Sequence, residues 1–211
     1  MPMPMSRTAP RPLCSWLVCA LLAAAAAVLI AQAGCSKGGD ADLARNPRIR
    51  DWQGFFFARK APVQDDGVLE YECTPVPVSL PAGAAPDGML VCSGEGGACL
   101  IVDPGYLLEE GRVVRGEPDS FVSLYDPAAG SMCRFMTMGP AGCIHGGTWL
   151  KESMFAVFGM AGEDGFLWKV DLDARRVWKY KIPGSYRRPE LSEQDYFTRL
   201  WKAPGPAGTE V

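Results

Sequence analysis

Two segments of this 211-residue chain repeat one pattern at a spacing of 45 residues, and each is typical of a β-hairpin. Residues 119–139 align with residues 164–184 without a gap, and Asp126 of the first segment matches Asp171 of the second. In the second segment apolar and polar residues alternate on both sides of the turn, which is the period of a half-buried strand. The repeat therefore predicts two antiparallel hairpins.

A period near 45 residues is also typical of propeller blades, but two copies cannot close a ring of at least about four. We therefore predict that both hairpins belong to one antiparallel sheet. Glycine (24) and proline (18) are abundant, which favours strands and turns over long helices. The predicted fold is mainly β: an antiparallel sandwich or partly open barrel built from hairpins, with one short C-terminal helix.

Further elements follow from local patterns. The aromatic run within residues 52–58 predicts a first, fully buried strand, and alternation over residues 68–74 predicts a second. Residues 89–102 read as a hairpin with a glycine-rich turn. Near the end of the chain, Ser192 and Asp195 form the start of a capping box and predict a helix.

The N-terminal region has the pattern of an export signal. A basic start is followed by an apolar run over residues 13–31 and by small residues, as in secretory signals. Ala33-Gly34-Cys35 resembles the end of bacterial lipoprotein signals, in which the cysteine carries the lipid; Gln32 stands where an aliphatic residue is usual. The resemblance implies a lipid-anchored protein of the cell envelope. With Ser36 after the cysteine, it implies the outer membrane, facing the periplasm.

Two other fates of this segment stay open. Ordinary cleavage after Ala33 would release a secreted protein, and an uncut segment of about 20 residues would anchor the chain as a helix. On the lipoprotein interpretation, residues 1–34 are the signal peptide and 35–50 the lipid anchor and polar tether. Residues 51–203 then form a single mainly β domain, and 204–211 a flexible tail.

Charge and cysteine content limit the function further. Without the two arginines of the signal, 19 basic residues face 24 acidic ones, a net charge of −5. That balance argues against a nucleic-acid partner, because such binders neutralise phosphates with basic residues. Five cysteines follow Cys35, and an exported protein can form disulfides from them. Since five is odd, one thiol is left over if Cys35 is lipidated.

Four cysteines are disulfide candidates by position. Cys92 and Cys99 lie on opposite arms of the 89–102 hairpin and can bridge it if their Cα atoms are about 5.5 Å apart. Cys133 and Cys143 form a second candidate pair. The sequence assigns no partner to Cys73.

His145 is the only histidine, and it precedes two glycines, so we expect an ordinary loop residue. No nucleophile motif accompanies it. An alternative is a soft-metal site, because thioether, thiolate and imidazole together suit Cu(I). Its candidate ligands are Met132, Met136, Met138, Cys143 and His145. Strand alternation argues against it, since it predicts the three methionines on one face and Cys133 on the other.

Two groups of charged residues complete the candidates. A basic stretch interleaved with aromatics could hold an anionic ligand, although a solvated strand face explains it as well. It comprises Arg175, Arg176, Lys179, Lys181, Arg187 and Arg188. Asp103, Asp126 and Asp171 lie beside turns, where acidic side chains usually accept hydrogen bonds from turn amides.

These observations favour an envelope lipoprotein that is not an enzyme and needs no cofactor. Its β domain would bind an envelope protein or a glycan, or serve envelope assembly, while the lipid holds it to a membrane. A periplasmic Cu(I)-binding protein that uses residues 132–145 is the first alternative. A hydrolase with carboxylate chemistry is the second.

Overall fold

The computed structural model describes residues 36–58, 61–78, 90–94 and 97–202. Backbone contacts divide the chain into two units, Met1–Asp42 and Leu43–Val211. Of the first unit the structure describes only the start of helix α1 (Ser36–Arg45). The export segment and the C-terminal tail therefore lie outside the described residues. No helix in the described part of the chain is long and apolar enough to span a membrane.

The second helix, α2 (Pro47–Phe56), replaces the predicted first strand. Asn46 caps it, because its side chain accepts hydrogen bonds from the backbone N–H groups of Arg48 (3.0 Å) and Ile49 (3.2 Å). Pro47 follows in the first turn, where its missing N–H costs nothing. The strand prediction was wrong because it relied on the aromatic run and did not use the helix-capping signal of Asn46 and Pro47. Leu43 and Ile49 are buried, so the folded unit includes residues expected in the tether.

Most of the remaining chain forms strands. In chain order they are β1 (Gln64–Glu70), β2 (Val76–Pro77), β3 (Leu90–Cys92), β4 (Cys99–Asp103), β5 (Tyr106–Glu109), β6 (Arg112–Arg115), β7 (Ser120–Asp126), β8 (Ser131–Met138), β9 (Gly142–Lys151), β10 (Met154–Ala161), β11 (Asp164–Asp171) and β12 (Arg176–Ile182). A 3-10 turn (Gly184–Tyr186) and helix α3 (Glu193–Lys202) follow them.

The strands form two five-stranded antiparallel sheets and a separate hairpin. Sheet A has the order β1-β12-β11-β10-β9, and sheet B has the order β2-β8-β7-β4-β3. Strands β5 and β6 pair only with each other among the described residues. The predicted mainly antiparallel β fold with a short C-terminal helix is confirmed. The sheets do not close into a barrel.

Both faces of sheet A are covered except at its edge strand β1, whose residues are all exposed. One face packs on sheet B through an apolar core that includes Leu100, Val122, Phe155 and Val170. The other face packs under α2, α3 and the β5–β6 hairpin; we call α2 and α3 together the helical cap. Alternation sorts the side chains between the two faces, since Phe155 and Val157 enter the inter-sheet core while Ala156 and Phe158 face the cap.

The repeated segments form the predicted hairpins, but in different sheets. Residues 119–139 supply β7–β8 of sheet B, and residues 164–184 supply β11–β12 of sheet A. The prediction of a single shared sheet was therefore wrong. Local alternation fixes each hairpin, whereas the choice of sheet depends on distant pairing partners. Helix α3 begins as predicted: the Asp195 N–H donates to Ser192 Oγ (3.1 Å), and the Ser192 N–H donates to the Asp195 carboxylate (3.0 Å).

Two disulfides join strands in this domain. Cys92 pairs with Cys99 across the β3–β4 hairpin, as predicted. Cys133 on β8 pairs with Cys73 in the connection between β1 and β2, not with Cys143. The Cys133–Cys143 expectation was wrong because Cys143 points into the cap-side core of sheet A, whereas Cys133 lies on sheet B. Cys143 is the one unpaired cysteine among those that the structure describes.

Candidate functional site

The expected loop histidine, His145, is a buried residue of β9. In the pairing of β9 with β10, Phe158 lies opposite Gly146 and Gly159 opposite Ile144, so His145 is an extra residue on β9. Such a β-bulge redirects a side chain, and here the imidazole packs beneath the helical cap at 2% exposure. The loop expectation was wrong because the following glycines belong to the strand and do not form a turn.

Gly159 allows the two strands to come together at this bulge. A Cβ atom on Gly159 would collide with the carbonyl group of Cys143 and lie 3.0 Å from the Ile144 Cα atom. Both neighbours are backbone, so they cannot move aside as a flexible side chain would. A residue without a side chain is therefore required opposite the segment that carries Cys143 and His145.

An aromatic shell from the cap surrounds the imidazole. Phe56 of α2 stacks on it, with ring centroids 4.7 Å apart and planes inclined by 22°. The rings of Trp52, Tyr196 and Phe197 lie at centroid distances of 6.3, 5.6 and 5.7 Å. This shell excludes water from the site, so every polar atom within it needs a partner from the protein.

The hydrogen bond of Nδ1 fixes where the proton on His145 sits. Trp52 Nε1 donates to His145 Nδ1 at 2.8 Å. An indole nitrogen can only donate, so Nδ1 must be the unprotonated acceptor, and the proton of the neutral imidazole lies on Nε2. That Nε2 lies 3.3 Å from Glu193 Oε1, at ion-pair distance but without the alignment of a hydrogen bond. Burial lowers the pKa of His145, and Glu193 offsets only part of that effect.

Glu193 opens α3 and joins the cap to the β5–β6 hairpin. Its Oε2 accepts hydrogen bonds from Tyr106 OH (3.0 Å) and from an Arg115 guanidinium N–H (3.3 Å). Burial alone would raise the pKa of Glu193, but His145, Tyr106 and Arg115 together lower it. Burial and the nearby Glu193 carboxylate raise the pKa of Tyr106 to about 12, so its phenol stays protonated and keeps donating.

Cys143 lies beside this network as a buried thiol. Its Sγ donates to the carbonyl oxygen of Pro104 at 3.3 Å. Burial, and to a lesser extent the charge of Glu193, raises the pKa of the thiol far above its ordinary value. Since the thiolate is the nucleophile and the metal ligand, a thiol in this state is unreactive.

Cys143, His145 and Glu193 nevertheless group their ligand atoms within 4.8 Å of one another. A metal at this point would need a free lone pair on His145 Nε2. Trp52 already uses the lone pair of Nδ1, so Nε2 carries the proton. Coordination would require loss of the Trp52 bond or an imidazolate, so the donor set does not fit a resident metal. The same bond keeps Nδ1 from the carboxylate that would orient it in a catalytic triad.

The methionines of the proposed Cu(I) site lie elsewhere. Met136 and Met138 pack against the core between the sheets, whereas Cys143 belongs to the cap-side core. The prediction that the three methionines lie on one face of β8 and Cys133 on the other was also wrong. A bulge at Phe135 shifts the alternation of side chains along the strand. Cys133 lies opposite Leu124 and Met136 opposite Val122, so these two residues share the inner face.

The basic stretch is partly neutralised. Lys179 pairs with Asp66 (2.9 Å), and Lys181 pairs with Asp164 (2.7 Å). An Arg187 guanidinium N–H donates to the carbonyl oxygen of Gly162 (3.4 Å). The structure therefore does not bring the six basic side chains into one free anion-binding patch. Strand β12 is also not a sheet edge, since β1 pairs along it.

The three aspartates beside turns bond to turn amides, as expected. Asp103 accepts from the N–H of Gly105, Asp126 from that of Ala128, and Asp171 from that of Ala174. Asp103 lies opposite Phe121, at the other end of β7 from Asp126, so these two do not form the facing carboxylate pair of a glycosidase.

Sequence reasoning missed Trp52 and Glu193 as partners of His145, and Tyr106 and Arg115 as partners of Glu193. The Asn46-Pro47 capping signal could have identified the helix that carries Trp52. Nothing local identifies the other three, which contact His145 or its partner across long stretches of chain. Comparison of the chain with protein-family models, curated proteins and solved structures returns no match.

Proposed function

We propose that this chain is an exported lipoprotein of the bacterial cell envelope, held to a membrane by a lipid on Cys35. Its β domain serves binding or envelope assembly and is not catalytic. The observation that carries the proposal is the pairing of four of the five cysteines that follow Cys35. Disulfides persist in oxidising compartments and are rare in the cytosol. Together with the signal pattern of residues 1–35, these bonds favour export.

A role in binding is supported by the state of the reactive residues in the described part of the chain. Cys143 and His145 are closed off beneath the helical cap, and the thiol is protonated. Glu193 accepts hydrogen bonds from Tyr106 and Arg115, and its other oxygen lies 3.3 Å from His145 Nε2. A general base or nucleophile has to reach the proton or the atom on which it acts, and neither has access here.

Strand β1 is the surface that best suits a partner. It pairs with β12 on one side, and all seven of its residues are exposed. The opposite side of an edge strand carries backbone N–H and C=O groups that can pair with an added strand. Asp65, Asp66 and the bulge between Asp65 and Gly67 disfavour pairing of two copies of this edge.

The intact mass of the native protein, extracted from its membrane fraction, tests the proposal. We expect a polypeptide that begins at Cys35, carries acyl groups and is lighter than the reduced chain by two hydrogens per disulfide. In a Cys35→Ser variant the acyl mass should disappear, while the disulfides should remain. A matched Ser36→Ala variant should retain the acyl groups.

Other masses would contradict the proposal in distinct ways. A soluble polypeptide that begins at Gly34 without acyl groups would show ordinary secretion. A cytosolic polypeptide that keeps its first 34 residues and has reduced cysteines would refute export altogether.

A further inference from the structure

The His145 site leaves no room for a second ring proton. A protonated imidazole carries N–H on both nitrogens, yet Nδ1 faces the indole N–H of Trp52 at 2.8 Å. Protonation would therefore place two donors against each other in a site at 2% exposure. No water can intervene unless the aromatic shell opens. The closed cap thus holds His145 neutral, whereas an opened cap lets it take up a proton.

We propose that Trp52, His145 and Glu193 form a proton-sensitive clasp, and that acidification opens the helical cap over sheet A. The clasp joins α2, through Trp52, to β9, and β9 to α3, through Glu193. Opening would expose the cap-side aromatic core and the free thiol of Cys143. The inference does not depend on where in the cell the protein resides.

Several titratable or charged groups around the imidazole enter this balance. Helix α3 contributes Glu193 and Tyr196, the β5–β6 hairpin contributes Tyr106 and Arg115, and β9 contributes Cys143. Arg187 adds a positive charge from the segment after the 3-10 turn. Tyr106, Tyr196 and Cys143 stay protonated and Arg115 stays charged throughout mild acid, because their pKa values lie far above it.

The direction of the effect follows from proton binding. In the open state His145 titrates near its ordinary pKa of 6.5, and in the closed state its pKa is lower. The open state therefore binds more protons, and its population rises as the pH falls below 6.5. If the closed state takes up none, the opening equilibrium constant increases about 25-fold from pH 7 to pH 5. Glu193, with an ordinary pKa of 4.5, adds only about 1.3-fold by pH 5.

Hydrogen exchange followed by mass spectrometry on the full mature chain measures this opening. After correction for the pH dependence of intrinsic exchange, the exchange rates of amides in α2 and α3 should rise about 25-fold when the pH is lowered from 7 to 5. Amides of β7 and β8 in sheet B should not show it. Labelling by a thiol reagent that works in acid, such as dithiodipyridine, should become faster at Cys143 over the same range.

Three variants separate the clasp from simple loosening of the cap. Phe56→Leu weakens the packing of the cap without changing the titration of His145. Cap opening should therefore increase at both pH values, while the ratio of opening at pH 5 to opening at pH 7 stays near 25-fold. Trp52→Phe removes the opposing donor but leaves the burial of His145, so the ratio should fall below 25-fold without disappearing. His145→Asn keeps an acceptor for Trp52 but cannot titrate, so the ratio should fall close to one.

Either of two results in the unmodified protein overturns the proposal. Opening of α2 and α3 that does not change between pH 7 and pH 5 would show that His145 is not linked to the cap. An equal rise in β7 and β8 would show acid unfolding of the whole domain in place of cap opening. A ratio that persists in His145→Asn would assign the response to another group.

Discussion

The two disulfides should contribute unequally to stability, and the lengths of their loops set the difference. The Cys73–Cys133 bond joins residues 60 positions apart, whereas the Cys92–Cys99 bond joins residues only 7 apart. A cross-link stabilises mainly by restricting the unfolded chain, and a longer loop loses more conformational entropy. We therefore expect the double variant Cys73→Ala/Cys133→Ala to be less stable than the double variant Cys92→Ala/Cys99→Ala.

The loop lengths give the magnitude. The chain-entropy relation gives a stabilisation of about 4 kcal/mol at 25 °C for the long loop closed by Cys73–Cys133. For the short loop closed by Cys92–Cys99 it gives about 2 kcal/mol. Packing should affect the comparison little, because each pair has one buried member: Cys133 is 5% exposed and Cys99 is 6% exposed. The cost of truncating a buried sulfur is therefore nearly the same in both double variants and cancels when their stabilities are compared. The expected gap between the two double variants is about 2 kcal/mol.

Equilibrium unfolding in urea measures this gap. The free energies of unfolding of the oxidised mature protein and the two double variants, Cys73→Ala/Cys133→Ala and Cys92→Ala/Cys99→Ala, are extrapolated to water. The slope of the free energy of unfolding against urea concentration should also increase more for Cys73→Ala/Cys133→Ala, because opening the longer loop exposes more surface on unfolding. Equal losses, or a larger loss from the short loop, would refute the loop-entropy reasoning for this domain.

Three further predictions concern the His145 site. Gly159→Ala should destabilise the domain by about 3 kcal/mol in urea unfolding, because its Cβ meets backbone at the bulge. The matched Gly54→Ala in α2 has open space and should stabilise it by about 0.5–1 kcal/mol; the opposite order would contradict the packing argument. In an ultraviolet titration Tyr106 should ionise only near pH 12, so a normal phenol titration from Tyr106 would disprove its bond to Glu193. Glu193→Gln removes the carboxylate charge, so the pKa of Tyr106 should fall toward 10, and an unchanged titration would exclude that carboxylate as a cause.

The parts of the fold that sequence predicted well are those set by neighbours along the chain. The 89–102 hairpin with its Cys92–Cys99 bond, the turn bonds of Asp126 and Asp171, and the capping box at Ser192 each depend on residues a few positions apart. Alternation along each strand is likewise local, which is why both copies of the repeat were recognised as hairpins.

The parts that failed depend on bulges and on long-range packing. One extra residue at His145 or at Phe135 reverses which face the following side chains occupy, and no local pattern marks such an insertion. Helix α2 was mistaken for a strand because an aromatic run suits a buried strand as well as a helix that packs on a sheet.

The sequence by itself determined the export pattern, the antiparallel hairpins and the closing helix. Only the tertiary structure decided that the single histidine is buried. Trp52 and Glu193 reach His145 from chain positions 93 residues before it and 48 residues after it. Burial and proton placement at such a site are properties of distant groups that folding brings together. Alternation and capping depend on near neighbours, so they can be read before the chain folds.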